Sequence, residues 1–348
     1  MILNSHAVTY LICSFISFVI GFFAVVSGFL VWKKWDITSQ AEEQYRLEKK
    51  VYLIITVLSL GFVLKLLMIP LWFWTLYSMI SSVPGAMCLV GIHNVAAPVS
   101  YIASTLKFVT FFLCGYWLLM NHFDRKIISQ PFMKPKMIFL IPLGFLIFCE
   151  TILDISFLLS VPPRQISCCT SLFDIPEMPP NQMISSSSWV WVTASNVLFL
   201  FIIGEVLWFL FSKKADPFMK GRLAGNKYFL IPQTLFIVMT FIIFIQAIQI
   251  KISPFILGMP LHHCIFCLCQ KDWVALLSVS IIFMGLIFFL FFSWFVSMAE
   301  YGKVYTVLEE KMVILLKFSG VLFSIGVIIL FVHLLIVLYH QFYPTFGF

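Results

Sequence analysis

Charge is what this chain has least of. Only 11% of its 348 residues are Asp, Glu, Lys or Arg, where a soluble globule carries about a quarter. The motifs of hydrolysis and phosphate binding are missing too: there is no Gly-x-Ser-x-Gly, no His-Glu-x-x-His and no phosphate-cradling glycine loop. Serines 185–188 read as a solvated linker, and Asp174 with Glu177 as a solvated loop face. Lys and Arg are absent from the first seven positions and the apolar run that follows is longer than a signal core, so a cleavable signal is not expected there. What remains is a membrane protein's composition, 61% hydrophobic and 18% aromatic.

The apolar residues fall into blocks long enough to cross about 30 Å of hydrocarbon, which takes roughly 20 helical residues. Eight spans are expected, at about 8–32, 51–76, 97–120, 138–160, 189–212, 228–250, 274–299 and 313–339. The runs are continuous, unlike the short alternating segments of a membrane β-barrel. The expected fold is therefore an all-α, polytopic transmembrane domain over residues 1–348, in contact with the lipid bilayer.

Lys and Arg asymmetry between the loops sets the expected orientation. Sixteen basic residues fall in loops 33–50, 121–137, 213–227 and 300–312, including Lys134 and Lys136. The alternate loops hold three, Arg164, Lys251 and Lys271. Both termini are then extracytoplasmic, and the net charge of +7 marks topology, not nucleic-acid binding. The membrane is a plasma or inner membrane, with other membrane subunits or an extracytoplasmic metal or thiol protein as candidate partners.

Sorting the cysteines by side is informative. Cys13, Cys114 and Cys149 lie inside apolar spans and read as packing residues. Cys88, Cys168, Cys169, Cys264, Cys267 and Cys269 all fall on the outer side, as do His93, His262 and His263. The stretch LHHCIFCLCQKDW, 261–273, concentrates them. A faint internal echo joins it to the first half: VPGAMCLVGIHN (83–94) and MPLHHCIFCLCQ (259–270) both read Pro-x-x-x-Cys, which permits two four-helix halves.

Three chemistries compete for the cluster. Thiolate and neutral imidazole are donors that copper(I) and zinc prefer, and two cysteines three apart can chelate one ion. Cys264, Cys267 and His263 are then the primary ligands, with His262, Cys269, Cys88, Cys168, Cys169 and His93 as further donors. The covalent c-type haem signature is absent, because Leu268 follows Cys267 where His is required. The second chemistry is a redox-active thiol pair. The third is a set of structural disulfides tying the outer loops together, as an oxidising compartment favours.

The redox reading draws on a resemblance. CIFCLCQK resembles the Cys-x-x-Cys-x-x-Gln-Arg stretch of the DsbB family, membrane enzymes that pass electrons from protein thiols to quinone. Cys264 and Cys267 match that family's redox pair and Gln270 its Gln, while Lys271 stands where the Arg near quinone would be. The resemblance implies a quinone-linked thiol oxidoreductase with Cys264–Cys267 as the active pair. It spans about eight residues. The family has four helices, and a second well-spaced cysteine pair is missing here.

Charges inside the spans carry a separate signal. Lys65 and Lys107 are expected near the centres of helices 2 and 3, with Glu150 and Asp154 one turn apart on helix 4. A charge at mid-membrane costs about 2.5–3.5 kcal/mol on insertion scales, so the four should face inward and pair. They form either a structural ion-pair network or a proton or ion path. Glu205 and His333 are lesser candidates.

Overall fold

A computed structural model describes residues 5–35, 42–86, 88–125, 127, 130–160, 227–259, 264–301 and 305–342. Their regular structure is all helical, without strands, and seven of the helices are long and apolar enough to cross a membrane. The chain is an integral membrane protein. The expected span 189–212, and with it Glu205, lies outside the described residues. So do Cys168, Cys169, His262 and His263. Two compact units divide the chain, Met1–Cys168 and Cys169–Phe348.

The first unit contains α1 (Ser5–Lys34), α2 (Glu42–Met79) followed by a 3-10 turn (Ile80–Ser82), α3 (Leu89–Val95), α4 (Val99–Asp124) and α5 (Met133–Ser160). The long helices form a ring in which α1 touches α2 and α5, and α4 touches the same two. Pairings such as Trp72 with Ser104 and Asn121 with Ser59 show α2 and α4 running antiparallel. Tyr10 with Asp154, Gly21 with Gly144 and Gly28 with Met137 show the same for α1 and α5. This is an up-down four-helix bundle.

Small residues bring α1 and α5 together. The buried face of α1 runs Ala7, Tyr10, Ser14, Ser17, Gly21, Ala24, Gly28, Val31, alternating three and four, with Ser27 buried beside Gly28. Without water to drive association, close backbone approach supplies the packing energy between membrane helices. Gly21 and Gly144 show how close: a Cβ on Gly144 would sit 2.5 Å from the Gly21 carbonyl oxygen. Large side chains on the other faces, such as Phe15, Phe22 and Leu60, are exposed and suit a lipid surface.

The second unit contains α6 (Lys227–Ala247), continuing through a π-helical turn (Ile248–Ile252) into α7 (Ser253–Leu257). Then come α8 (Ile265–Lys271), α9 (Trp273–Tyr301) and α10 (Tyr305–Phe342). Helices α9 and α10 form an antiparallel hairpin, with Gly285 against Phe323 and Gly326 against Ile282. Helix α6 packs on α9 through Phe241, Phe244 and Phe283. The core here is apolar: Phe244, Ile248, Leu268, Val279, Ile282, Leu286, Phe323 and Leu330.

Two sequence expectations need correction. Lys136 was placed in a basic loop, yet it lies in the first turns of α5 and is 1% exposed. Its ammonium pairs with Asp124 at 2.6 Å, which neutralises both charges and lets the helix start before the apolar run does. Helix α4 runs on to Asp124, four residues past the expected span, so Lys107 lies a little before its midpoint.

Candidate functional sites

The structure brings Lys65, Lys107, Glu150 and Asp154 together inside the first unit. Each wall of the bundle contributes: Tyr10 from α1, Lys65 from α2, Lys107 and Thr110 from α4, and the two carboxyls from α5. Glu150 Oε1 accepts from Lys65 Nζ at 2.8 Å and from Lys107 Nζ at 3.0 Å. Its Oε2 accepts from the Thr110 hydroxyl at 2.6 Å. Asp154 Oδ2 accepts from the Tyr10 hydroxyl at 2.6 Å and from Lys107 Nζ.

Two ammonium groups face two carboxylates, so the formal charge of the cluster is zero. Its hydrogen bonding is not even. Glu150 has donors on both oxygens, whereas Asp154 Oδ1 is buried with no partner among the described residues. Lys107 also lies over the Trp72 ring, 4.4 Å from its centroid, where the π face adds attraction for a desolvated cation.

An aromatic layer closes the end of the bundle nearest this cluster. Tyr10, Trp72 and Phe157 pack with Met79, Val83 and Ile92. Beyond Phe157 sits His93, its ring 6.4 Å from that of Phe157 and stacked on Tyr101 at 5.3 Å. Burial lowers the His93 pKa, a tendency partly opposed by Cys88, so the ring is held toward its neutral, ligand-competent form. Cys88 is the N-cap residue of α3 and is wholly buried.

The far end of the same bundle carries a further buried ion pair. Lys136 Nζ donates to Asp124 Oδ2 and, at 3.3 Å, to Asn121 Oδ1. Asp124 Oδ1 accepts from the Phe132 backbone N–H at 3.0 Å, and Asn121 Nδ2 donates to Ser59 Oγ at 3.1 Å. Both carboxylate oxygens are satisfied. This pair clamps the α4–α5 turn.

In the second unit, Cys264 is the N-cap residue of α8 and Cys267 stands three positions on, in its first turn. An N-cap side chain and the one three residues later share a face, which is the geometry that capping boxes use. Both residues are buried, and their sulfur atoms lie within 4.8 Å of one another. The Cys264 carbonyl takes the Leu268 N–H at 3.1 Å and the Ser253 hydroxyl at 3.1 Å, so α7 holds the cap in place. The pair can chelate one soft ion or close on itself by oxidation.

Cys269 is set apart. Two residues beyond Cys267, it points about 200° around the helix. Burial first, and then the nearby Asp272 carboxylate, push its thiol up to about 11, so it stays protonated at neutral pH. Lys271 ends α8. Asp272 then caps α9, its Oδ1 accepting from the N–H groups of Val274 and Ala275, while Oδ2 meets His333 Nε2 at 2.6 Å.

Cys88 and Cys264, the cysteines of the Pro-x-x-x-Cys echo, occupy equivalent local positions. Each caps a seven-residue helix, α3 or α8, that leads into a long membrane helix. The aromatic and hydroxyl partners Tyr10 and Thr110, the Asp124–Lys136 pair and Asp272 were not singled out from sequence. An acid and a base twelve apart across a short Pro-containing turn were a readable signal for Asp124 and Lys136. Tyr10 had none, because tyrosine near a membrane helix end is ordinary. Comparison with protein-family models, with curated proteins and with solved structures finds no match to this chain.

Proposed function

We propose that this membrane protein binds and handles a soft transition metal, copper-like, at its extracytoplasmic face. The observation that carries the reading is the Cys264–Cys267 pair, two buried sulfurs within 4.8 Å on one face of a helix start. Thiolates so placed can share one ion, and copper(I) or zinc is the kind of ion they select. The adjacent His263 and His262 are the nearest further donors in the chain, followed by Cys88, Cys168, Cys169 and His93. Cys269, its thiol pushed up to about 11 by burial and then by Asp272, yields a thiolate at greater cost than an unshifted cysteine. Orientation rests on the Lys and Arg asymmetry, which places all of these donors on the outer side.

The same pair supports a second reading, the quinone-linked thiol oxidoreductase, because sulfurs this near need little movement to form a disulfide. One experiment separates them. The full chain, purified in mild detergent without oxygen, is loaded with copper(I) and passed through a desalting column. The metal reading expects retained copper that falls tenfold or more in Cys264→Ser and in the double variant His262→Ala, His263→Ala. No retained copper, with thiols at 264 and 267 that are oxidised by added quinone and fail to be when Lys271 is Ala, overturns it in favour of redox chemistry.

A further inference from the structure

We propose that Asp154 and Lys107 share one exchangeable proton, so that the interior of the first unit holds them as a neutral acid and amine rather than as an ion pair. The inference concerns the helix bundle alone and does not rest on the metal reading.

The two carboxyls of the cluster differ in what they are given. Glu150 receives three donors spread over both oxygens, an arrangement that stabilises an anion. Asp154 receives both of its donors on Oδ2, and among the described residues Oδ1 has none although the residue is wholly buried. A full carboxylate leaves substantial negative charge on that bare oxygen in an apolar interior, which is costly. In the neutral acid Oδ1 is a carbonyl oxygen with less charge, and its lack of a donor matters less. Buried polar atoms are nearly always satisfied, so this oxygen asks for an explanation. A proton provides one and needs no cavity.

Lys107 supplies it without changing the net charge. Its ammonium already donates to Asp154 Oδ2. When the N–H bond breaks, its electron pair stays on Nζ and the proton forms an O–H bond on Asp154. An ion pair becomes an amine beside an acid. Burial favours the neutral pair because two desolvated charges disappear together. Lys65 and Glu150 remain a charged couple at 2.8 Å.

The other groups around the pair are Tyr10 on α1, Lys65 on α2, Cys114 on α4 and Glu150 on α5. His93 on α3 stands beyond Phe157. Only Tyr10 and Lys107 donate directly to Asp154 among the described residues. Tyr10 therefore reports on the state of the carboxyl, since its hydroxyl accepts or donates according to where the proton sits.

The test is infrared spectroscopy of the full-length protein in detergent, in water and in heavy water. A protonated buried carboxyl gives a C=O stretch separate from carboxylate and amide bands, and it shifts on deuteration if the proton exchanges. The expected result is such a band in the wild type, lost in Asp154→Asn and shifted in frequency in Tyr10→Phe. A wild type without an exchangeable carboxylic-acid band overturns the proposal, whether or not Asp154→Asn folds. So does a band that survives in Asp154→Asn or ignores Tyr10→Phe.

Discussion

The two units of this chain repeat a local plan and fill their interiors differently. In each, a Pro-x-x-x-Cys sequence follows a long helix, and its cysteine caps a seven-residue helix that leads into another long helix. Inside the first unit, four helices close around two ammonium groups and two carboxyls. Inside the second, the described helices meet through phenylalanine, leucine, isoleucine and glycine. The unit with the ionic interior presents one cysteine at its short helix, and the unit with the apolar interior presents the Cys-x-x-Cys pair. Membrane helices have no hydrophobic effect between them to hold position, so each unit needs some other specific contact. Both use close steric fit, and the first adds buried charge.

If that contrast is right, removing one charge should be the most damaging single change. Glu150→Ala leaves Lys65 and Lys107 with only Asp154 between them. Breaking a buried pair by deleting one partner costs about 3–5 kcal/mol, because the remaining charge is uncompensated. Thermal unfolding of the first unit's signal in detergent should shift down accordingly. An unchanged midpoint would mean that water reaches the cluster and that the interior is not the closed environment described.

A smaller loss is expected from the steric contact in the second unit. A Cβ on Gly326 would come within 2.7 Å of Ile282 and 2.9 Å of its backbone nitrogen. Gly326→Val must push α9 and α10 apart, and overpacking of this kind costs about 1–3 kcal/mol. Proteolysis or heat unfolding of the full chain measures it. Tolerance of valine would show that the hairpin is not held by close approach, and the contrast between the units would weaken.

Much of the plan was legible in the chain. Charges in apolar runs must pair, so Lys65, Lys107, Glu150 and Asp154 announced themselves, and Cys264 with Cys267 did so by spacing. The three-four alternation from Ala7 to Val31 was equally readable, although small residues in membrane helices attract less attention than charges. What the sequence hid was partnership at a distance. Nothing local to Tyr10 says that its hydroxyl reaches a carboxyl 144 positions away. Nothing in Ser253 says that it anchors the carbonyl of Cys264. Lys136 was hidden by its own usefulness as a topology marker, since a lysine flanking an apolar run looks cytoplasmic whether or not an aspartate neutralises it.

The subtlest change should be Tyr10→Phe. It removes one hydroxyl and leaves the ring, which packs against Trp72 at 5.0 Å, so the aromatic layer over the cluster stays intact. The lost interaction is a hydrogen bond to Asp154 Oδ2, where Lys107 still donates. A hydrogen bond contributes about 0.5–1.5 kcal/mol net, and those to charged groups about 1.5–3 kcal/mol. The size of the loss therefore sorts the two descriptions of the cluster. With Asp154 ionised, the variant should fall in the higher range, approaching the cost of the glycine replacement. With Asp154 and Lys107 sharing a proton as a neutral pair, it should fall in the lower range, the smallest effect of the three. Measuring Tyr10→Phe beside Glu150→Ala in the same detergent gives the comparison directly. A Tyr10→Phe loss as large as that of Glu150→Ala would break the ordering and place the hydroxyl, rather than the ion pairs, at the centre of the bundle's stability.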